Sequence, residues 1–137
     1  MTRRSLAAAT SWGRDPAGTS KLSTVSWVAP TGAVWYTAQG SGQLGRLDPV
    51  TGDVEETPLG AGSRPHGVII GPDDAPWVTD GGRNSIIRVD PASRQVTEYP
   101  LPRDRPDANL NTAVFDRAGV LWFTGQSGVY GLSLIHI

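Results

Sequence analysis

His66 and Asp80 are the side chains in this sequence whose types and spacing best suit acid–base or metal chemistry. His66 opens a short apolar run, Asp80 closes the β-prone run that follows, and Asp73 lies midway in the turn between them. If the two runs pair as antiparallel strands about that turn, the imidazole and the carboxylate fall side by side at one end of a sheet. An imidazole with an unperturbed pKa of ~6.5 accepts a proton near neutrality. A carboxylate offers a hard oxygen to a cation such as magnesium, although that ion wants ~six oxygen ligands. The same residues also suit structural roles: a histidine packed within a strand, and an aspartate capping the Gly81-Gly82 turn. Arg64, Asn111, Gln39 and Gln126 are expected near the same end, as ligand contacts or as ordinary loop polarity.

Composition closes off most other chemistry. The 137 residues carry 12 basic and 13 acidic side chains, a formal net charge of −1, which lacks the electrostatic footprint of a nucleic-acid binder. Cysteine is absent, so neither a disulfide scaffold nor a thiolate zinc site is expected, and His66 and His136 alone make no three-histidine site. No apolar run approaches the ~20 residues of a membrane span. Gly40 to Gly42 and Gly125 to Gly128 are glycine-rich, but no helical pattern follows to complete a phosphate cradle. Asp73, Asp74, Asp104 and Asp107 read as solvated turn acids. Arg3-Arg4 opens a stretch similar to an export signal, which Thr10-Ser11 interrupts. With no cysteine and no complete export signal the expected compartment is the cytoplasm, with export the alternative if the start is truncated.

The elements that must position His66 and Asp80 emerge from a repeat. Trp35-Tyr36-Thr37 recurs as Trp77-Val78-Thr79 at an offset of 42, which also carries Pro30 onto Pro72, Arg46 onto Arg88, Asp48-Pro49 onto Asp90-Pro91 and Pro58-Leu59 onto Pro100-Leu101. A third copy begins at Trp122-Phe123-Thr124, 45 residues further on. Each unit reads as four short strands bounded by Gly, Pro and Asp turns, with no 3.6-residue period sustained over three turns. Four strands per ~42 residues is the measure of one β-propeller blade. The expected fold is thus all-β, with four-stranded antiparallel blades in an incomplete ring.

The expected organisation is a tail over 1–20, then three repeats over about 24–62, 63–107 and 108–131. The last repeat is truncated, and 132–137 looks foreign to it. Trp35, Trp77 and Trp122 should pack sheet against sheet, while Arg46 with Asp48, and Arg88 with Asp90, share a face as ion pairs or turn braces. The faces of the first and third blades should be open.

The string from Trp35 to Pro49, together with Arg64 to Val68, Trp77 to Asp80 and Ile87 to Pro91, resembles the repeats of the virginiamycin B lyase (streptogramin lyase) family. The resemblance implies a seven-bladed ring when complete, so the missing blades of the same protein are expected partners. It implies a bacterial antibiotic-resistance enzyme that opens a cyclic depsipeptide at its ester by magnesium-assisted elimination. It also implies that His66 is the general base and Asp80 the metal ligand, since a Pro-His-Gly histidine and the acid closing the next strand play those parts in the family. The corresponding positions are Thr24 and Ala38 in the first repeat, and Asn111 and Gly125 in the third. This chain alone is expected to be inactive. Two alternatives remain open: a propeller that binds a small molecule, cyclic peptide or protein without catalysis, and a calcium-dependent lactone hydrolase of related fold.

Overall fold

The computed structural model describes residues 23–102, 108–126 and 128–133. The expected tail over 1–20, Asp104, Asp107 and His136 lie outside these. Every described element is a strand. β1 (Ser23–Val28), β2 (Val34–Ala38), β3 (Gln43–Leu47) and β4 (Val54–Pro58) form one antiparallel sheet in chain order. β5 (Pro65–Ile70), β6 (Pro76–Asp80), β7 (Ser85–Val89) and β8 (Val96–Pro100) repeat the arrangement, and β9 (Leu110–Phe115), β10 (Val120–Gly125) and β11 (Gly128–Ser133) give a third sheet. β11 carries Leu132 and Ser133 opposite Leu121 and Val120. These two residues therefore belong to the third sheet and not to the tail expected from 132, because a backbone ladder needs no particular side chain to continue.

The first strands lie beside one another, β1 against β5 and β5 against β9, as radial blades require. Turn chemistry explains the short strands. Asp48 Oδ1 accepts the N–H groups of Val50 and Thr51 at 2.8 and 3.2 Å, and Asp90 Oδ1 those of Ala92 and Ser93 at 2.9 and 2.8 Å. These backbone bonds hold both carboxyls below the usual aspartate range. Asp48 and Asp90 are thus turn braces.

The core sits between sheets. Trp35, Leu44 and Leu59 of the first unit pack with Val68, Val78, Ile87 and Val89 of the second. Trp77 and Ile86 pack with Leu110, Leu121 and Phe123 of the third, and Tyr99 stacks on the Trp77 ring at 5.7 Å. Trp122 departs from the expected packing: it is 45% exposed, because no fourth sheet stands beside it among the described residues. The first blade is also not open as expected. Its outward Tyr36 and Leu47 are buried, and the Tyr36 ring lies over Gly45, where a Cβ would meet Cζ at 2.0 Å.

Threonines repeated in the Trp-x-Thr motif fasten one blade to the next. Thr37 Oγ1 donates to the carbonyl of His66 at 2.7 Å, and Thr79 Oγ1 to that of Asn111 at 2.5 Å. Thr79 Oγ1 also accepts the N–H of Gly67 at 2.9 Å. Thr124 accepts the N–H of Thr112 at 3.3 Å in the same way.

Candidate functional site

Val68 pairs with Val78, Ile69 with Trp77 and Ile70 with Pro76, symmetrically about Asp73 as the sequence suggests. Between Val68 and Pro65 the register shifts, and Pro65 faces Asp80. His66 therefore falls in a β-bulge and is not the register partner of Asp80. The same register shift recurs in β1 and β9, where Val25 and Thr112 replace Gly67. The glycine instead lets the next blade come close, since a Cβ there would lie 2.9 Å from the Asn111 carbonyl oxygen and 3.2 Å from Thr79 Oγ1. The Pro-His-Gly motif is in this respect a packing device: the glycine admits the next blade, and the bulge re-aims the histidine.

Asp80 is fully buried at the end of β6. Its Oδ1 accepts three backbone N–H groups, from Arg64 at 2.9 Å, Gly82 at 2.9 Å and Arg83 at 3.0 Å. Its Oδ2 accepts the hydroxyl of Ser63, which is also buried. This geometry is a turn cap that also ties the 63–64 segment to the 81–83 turn. Both oxygens are engaged, so a cation reaching this carboxylate would have to displace protein donors.

His66 is half-buried, its Nδ1 enclosed without a hydrogen-bond partner. Exposed Arg64 contributes its backbone to the Asp80 brace, and its carbonyl accepts the Gly81 N–H at 3.2 Å. Asn111 is exposed near the start of β9, Gln39 half-buried just after β2, and Gln126 exposed just after β10. The strand order puts these residues at the same end of the three sheets as His66.

Sequence reasoning missed three things here. Ser63 has no counterpart in type at Lys21 or Ala108, so nothing marked it. The Thr37 and Thr79 bonds were visible as a repeated residue but carry the same signal as strand preference. Asp73 is an exposed turn acid as expected, but its carboxylate is also engaged. Its Oδ1 accepts Trp77 Nε1 at 3.0 Å and its Oδ2 accepts Arg88 Nε at 2.7 Å. Burial alone would raise its carboxyl, but the bonds from Arg88, Trp77 and Ala75 outweigh it and hold the group below the usual aspartate range. The signal was an aspartate four residues before Trp77, with Arg88 on the partner strand directly opposite that tryptophan.

A family model described as the virginiamycin B lyase family matches residues 9–129. No curated protein matches the chain. Among solved structures, a catalytically inactive histidine-to-alanine variant of virginiamycin B lyase from Staphylococcus aureus, determined with quinupristin, is 23% identical with a TM-score of 0.71. That match covers 83% of this chain and 42% of the other. A streptogramin B lyase structure is 25% identical with a TM-score of 0.70, covering 82% and 41%. An extracellular domain from B. thetaiotaomicron is 13% identical with a TM-score of 0.66, covering 84% and 15%. The chain spans about two fifths of the length of the lyase structures it matches.

Proposed function

The chain belongs to the virginiamycin B lyase family, and on that footing we propose that it is part of a larger propeller that opens a cyclic depsipeptide antibiotic at its ester by elimination. In that reaction a base takes the proton from the carbon beside a carbonyl. The neighbouring C–O bond of the ester breaks, the ester oxygen leaves in a carboxylate, and a C=C bond remains in the linear product. His66 is the base this chain offers. The observation that carries the reading is its place: a half-buried imidazole re-aimed by a bulge on the innermost strand, inside a family match that spans most of the chain. Arg64, Asn111, Gln39 and Gln126 would contact the ligand around it.

The described residues do not fit the magnesium ion that the family resemblance implies. They contain no group of three or more His, Asp or Glu side chains placed to share an ion, and the Asp80 oxygens are committed to four protein donors. The ligands of such an ion would come from blades beyond this chain. The exposed third-blade face around Trp122 and Val114 would be covered by those same blades.

A second reading, a propeller that binds a ligand without catalysis, is favoured by the structural use of Asp80 and by Thr24 and Asn111 standing where the other repeats would need a histidine. The test is mass spectrometry of quinupristin incubated with magnesium and a protein that completes the ring around these repeats. Elimination opens the ring at constant mass, and His66→Ala should abolish it, while the 137-residue chain alone should leave the antibiotic intact. Uptake of one water by the product, or no opening by the completed ring, would contradict the lyase reading.

A further inference from the structure

We propose that the cavity between the first and second blades, at the end of the sheets opposite His66, binds a free α-amino acid whose carboxylate takes the place that Asp73 holds in the second blade. The inference rests on the repeat geometry and not on the lyase reading. In the second blade one carboxylate serves two donors: Asp73 accepts the indole N–H of Trp77 at 3.0 Å and the Arg88 guanidinium at 2.7 Å. In the third blade Asp116 accepts the indole N–H of Trp122 at 2.8 Å. The offset of 42 gives the first blade both donors, Trp35 and Arg46, but replaces the aspartate with Thr31.

Neither donor finds a full substitute. The Trp35 indole N–H has no hydrogen-bond partner among the described residues, and Arg46 reaches Glu55 only at 3.8 Å. Where the carboxylate would sit there is space: a cavity of about 380 Å³ lined by Thr31, Trp35, Arg46, Glu55, Asp74 and Arg94 among others. That volume is in the range of small-molecule sites. Arg94 forms one wall. It occupies the position that is Gly52 in the first repeat and keeps the left-handed backbone, with φ of 64° against 81° for the glycine. A non-glycine residue adopts that conformation at a cost. In return its guanidinium lies 5.7 Å from the Trp35 ring and pairs with Glu55, with Nη1 enclosed and unpartnered.

Charge decides the ligand class. Arg46 and Arg94 are balanced by Glu55 and Asp74, so a bare anion gains no net attraction. A zwitterion sets its carboxylate against Trp35 and Arg46 and its ammonium against the two acids. Glycine is the smallest probe with both groups, and acetate and methylamine carry one each.

The experiment is a titration of the ¹⁵N-labelled protein, following the Trp35 indole N–H resonance, assigned by Trp35→Phe. Glycine should shift it saturably, acetate at least tenfold more weakly, and methylamine not at all. Thr31→Asp supplies the missing carboxylate within the chain and should abolish the glycine response. Arg46→Gln, at a partly exposed position, should weaken it at least tenfold and guards against misfolding of the first variant. No saturable shift with glycine, an equal affinity for acetate, or an undiminished response in a folded Thr31→Asp or Arg46→Gln protein would overturn the proposal.

Discussion

At the scale of single residues, the two carboxylates nearest the expected chemistry turn out to hold the structure. Asp80→Ala would leave three backbone N–H groups and the Ser63 hydroxyl without their acceptor in a buried place. At ~1–3 kcal/mol for each buried group left unpaired, the expected loss of unfolding free energy in urea is about 3 kcal/mol or more. His66→Ala removes a half-buried ring whose Nδ1 has no partner, and should cost about 1 kcal/mol or less. If Asp80→Ala proved as mild as His66→Ala, the brace described above would be wrong. Asp73 adds a pH dependence. Its folded carboxyl titrates below the unfolded value, so its contribution is complete above the ~3.9 of a free aspartate and is lost as pH falls through the depressed folded value. Melting temperatures of the protein and of Asp73→Asn should therefore differ most near neutral pH and converge in acid. A gap that widened in acid would reverse the assigned sign.

At the scale of elements, the inter-blade threonines and the bulge set how closely the sheets approach. Thr79→Val keeps the shape but removes the donor to Asn111 and the acceptor for Gly67, for an expected cost of about 1–3 kcal/mol. Thr124→Val sits at the open edge and should cost about 0.5 kcal/mol or less. Gly67→Ala forces a methyl against the Asn111 backbone and should destabilise by ~1–3 kcal/mol; chemical denaturation of the three variants ranks them. Much of this scale was legible in the sequence. Tryptophan, arginine and Asp-Pro at fixed offsets mark strand and turn positions, because each sits where its side chain packs or braces a turn. The bulge was not legible from spacing. Symmetry about Asp73 predicts His66 opposite Asp80, and a single unpaired residue breaks that register without altering the hydrophobic alternation beyond it. Gly67 beside His66 signalled only the close backbone approach of the next blade, since the same shift occurs in β1 and β9 without a glycine. The empty carboxylate place at Thr31 was likewise hidden, because the sequence shows Thr31 differing from Asp73 but not the donors left behind.

At the scale of the whole molecule, each described blade hands an aromatic face to its successor, and the third has no successor among the described residues. Trp122 and Val114 are 45% and 62% exposed, and Asp116 fixes the indole in place before any partner arrives. Such a preformed apolar face should associate, so light scattering should show self-association that grows with concentration and is reduced in Trp122→Ser. A monodisperse protein at high concentration would show that this face is satisfied in another way. The place of His66 follows from the same arrangement, because the first strands lie together only if successive sheets stand radially. Nuclear Overhauser contacts of the tryptophan rings test that arrangement most directly. The account predicts cross-peaks from Trp35 to Val78 and Ile87, and from Trp77 to Leu121 and Phe123. Their absence, with the three units instead joined edge to edge in one continuous sheet, would contradict it.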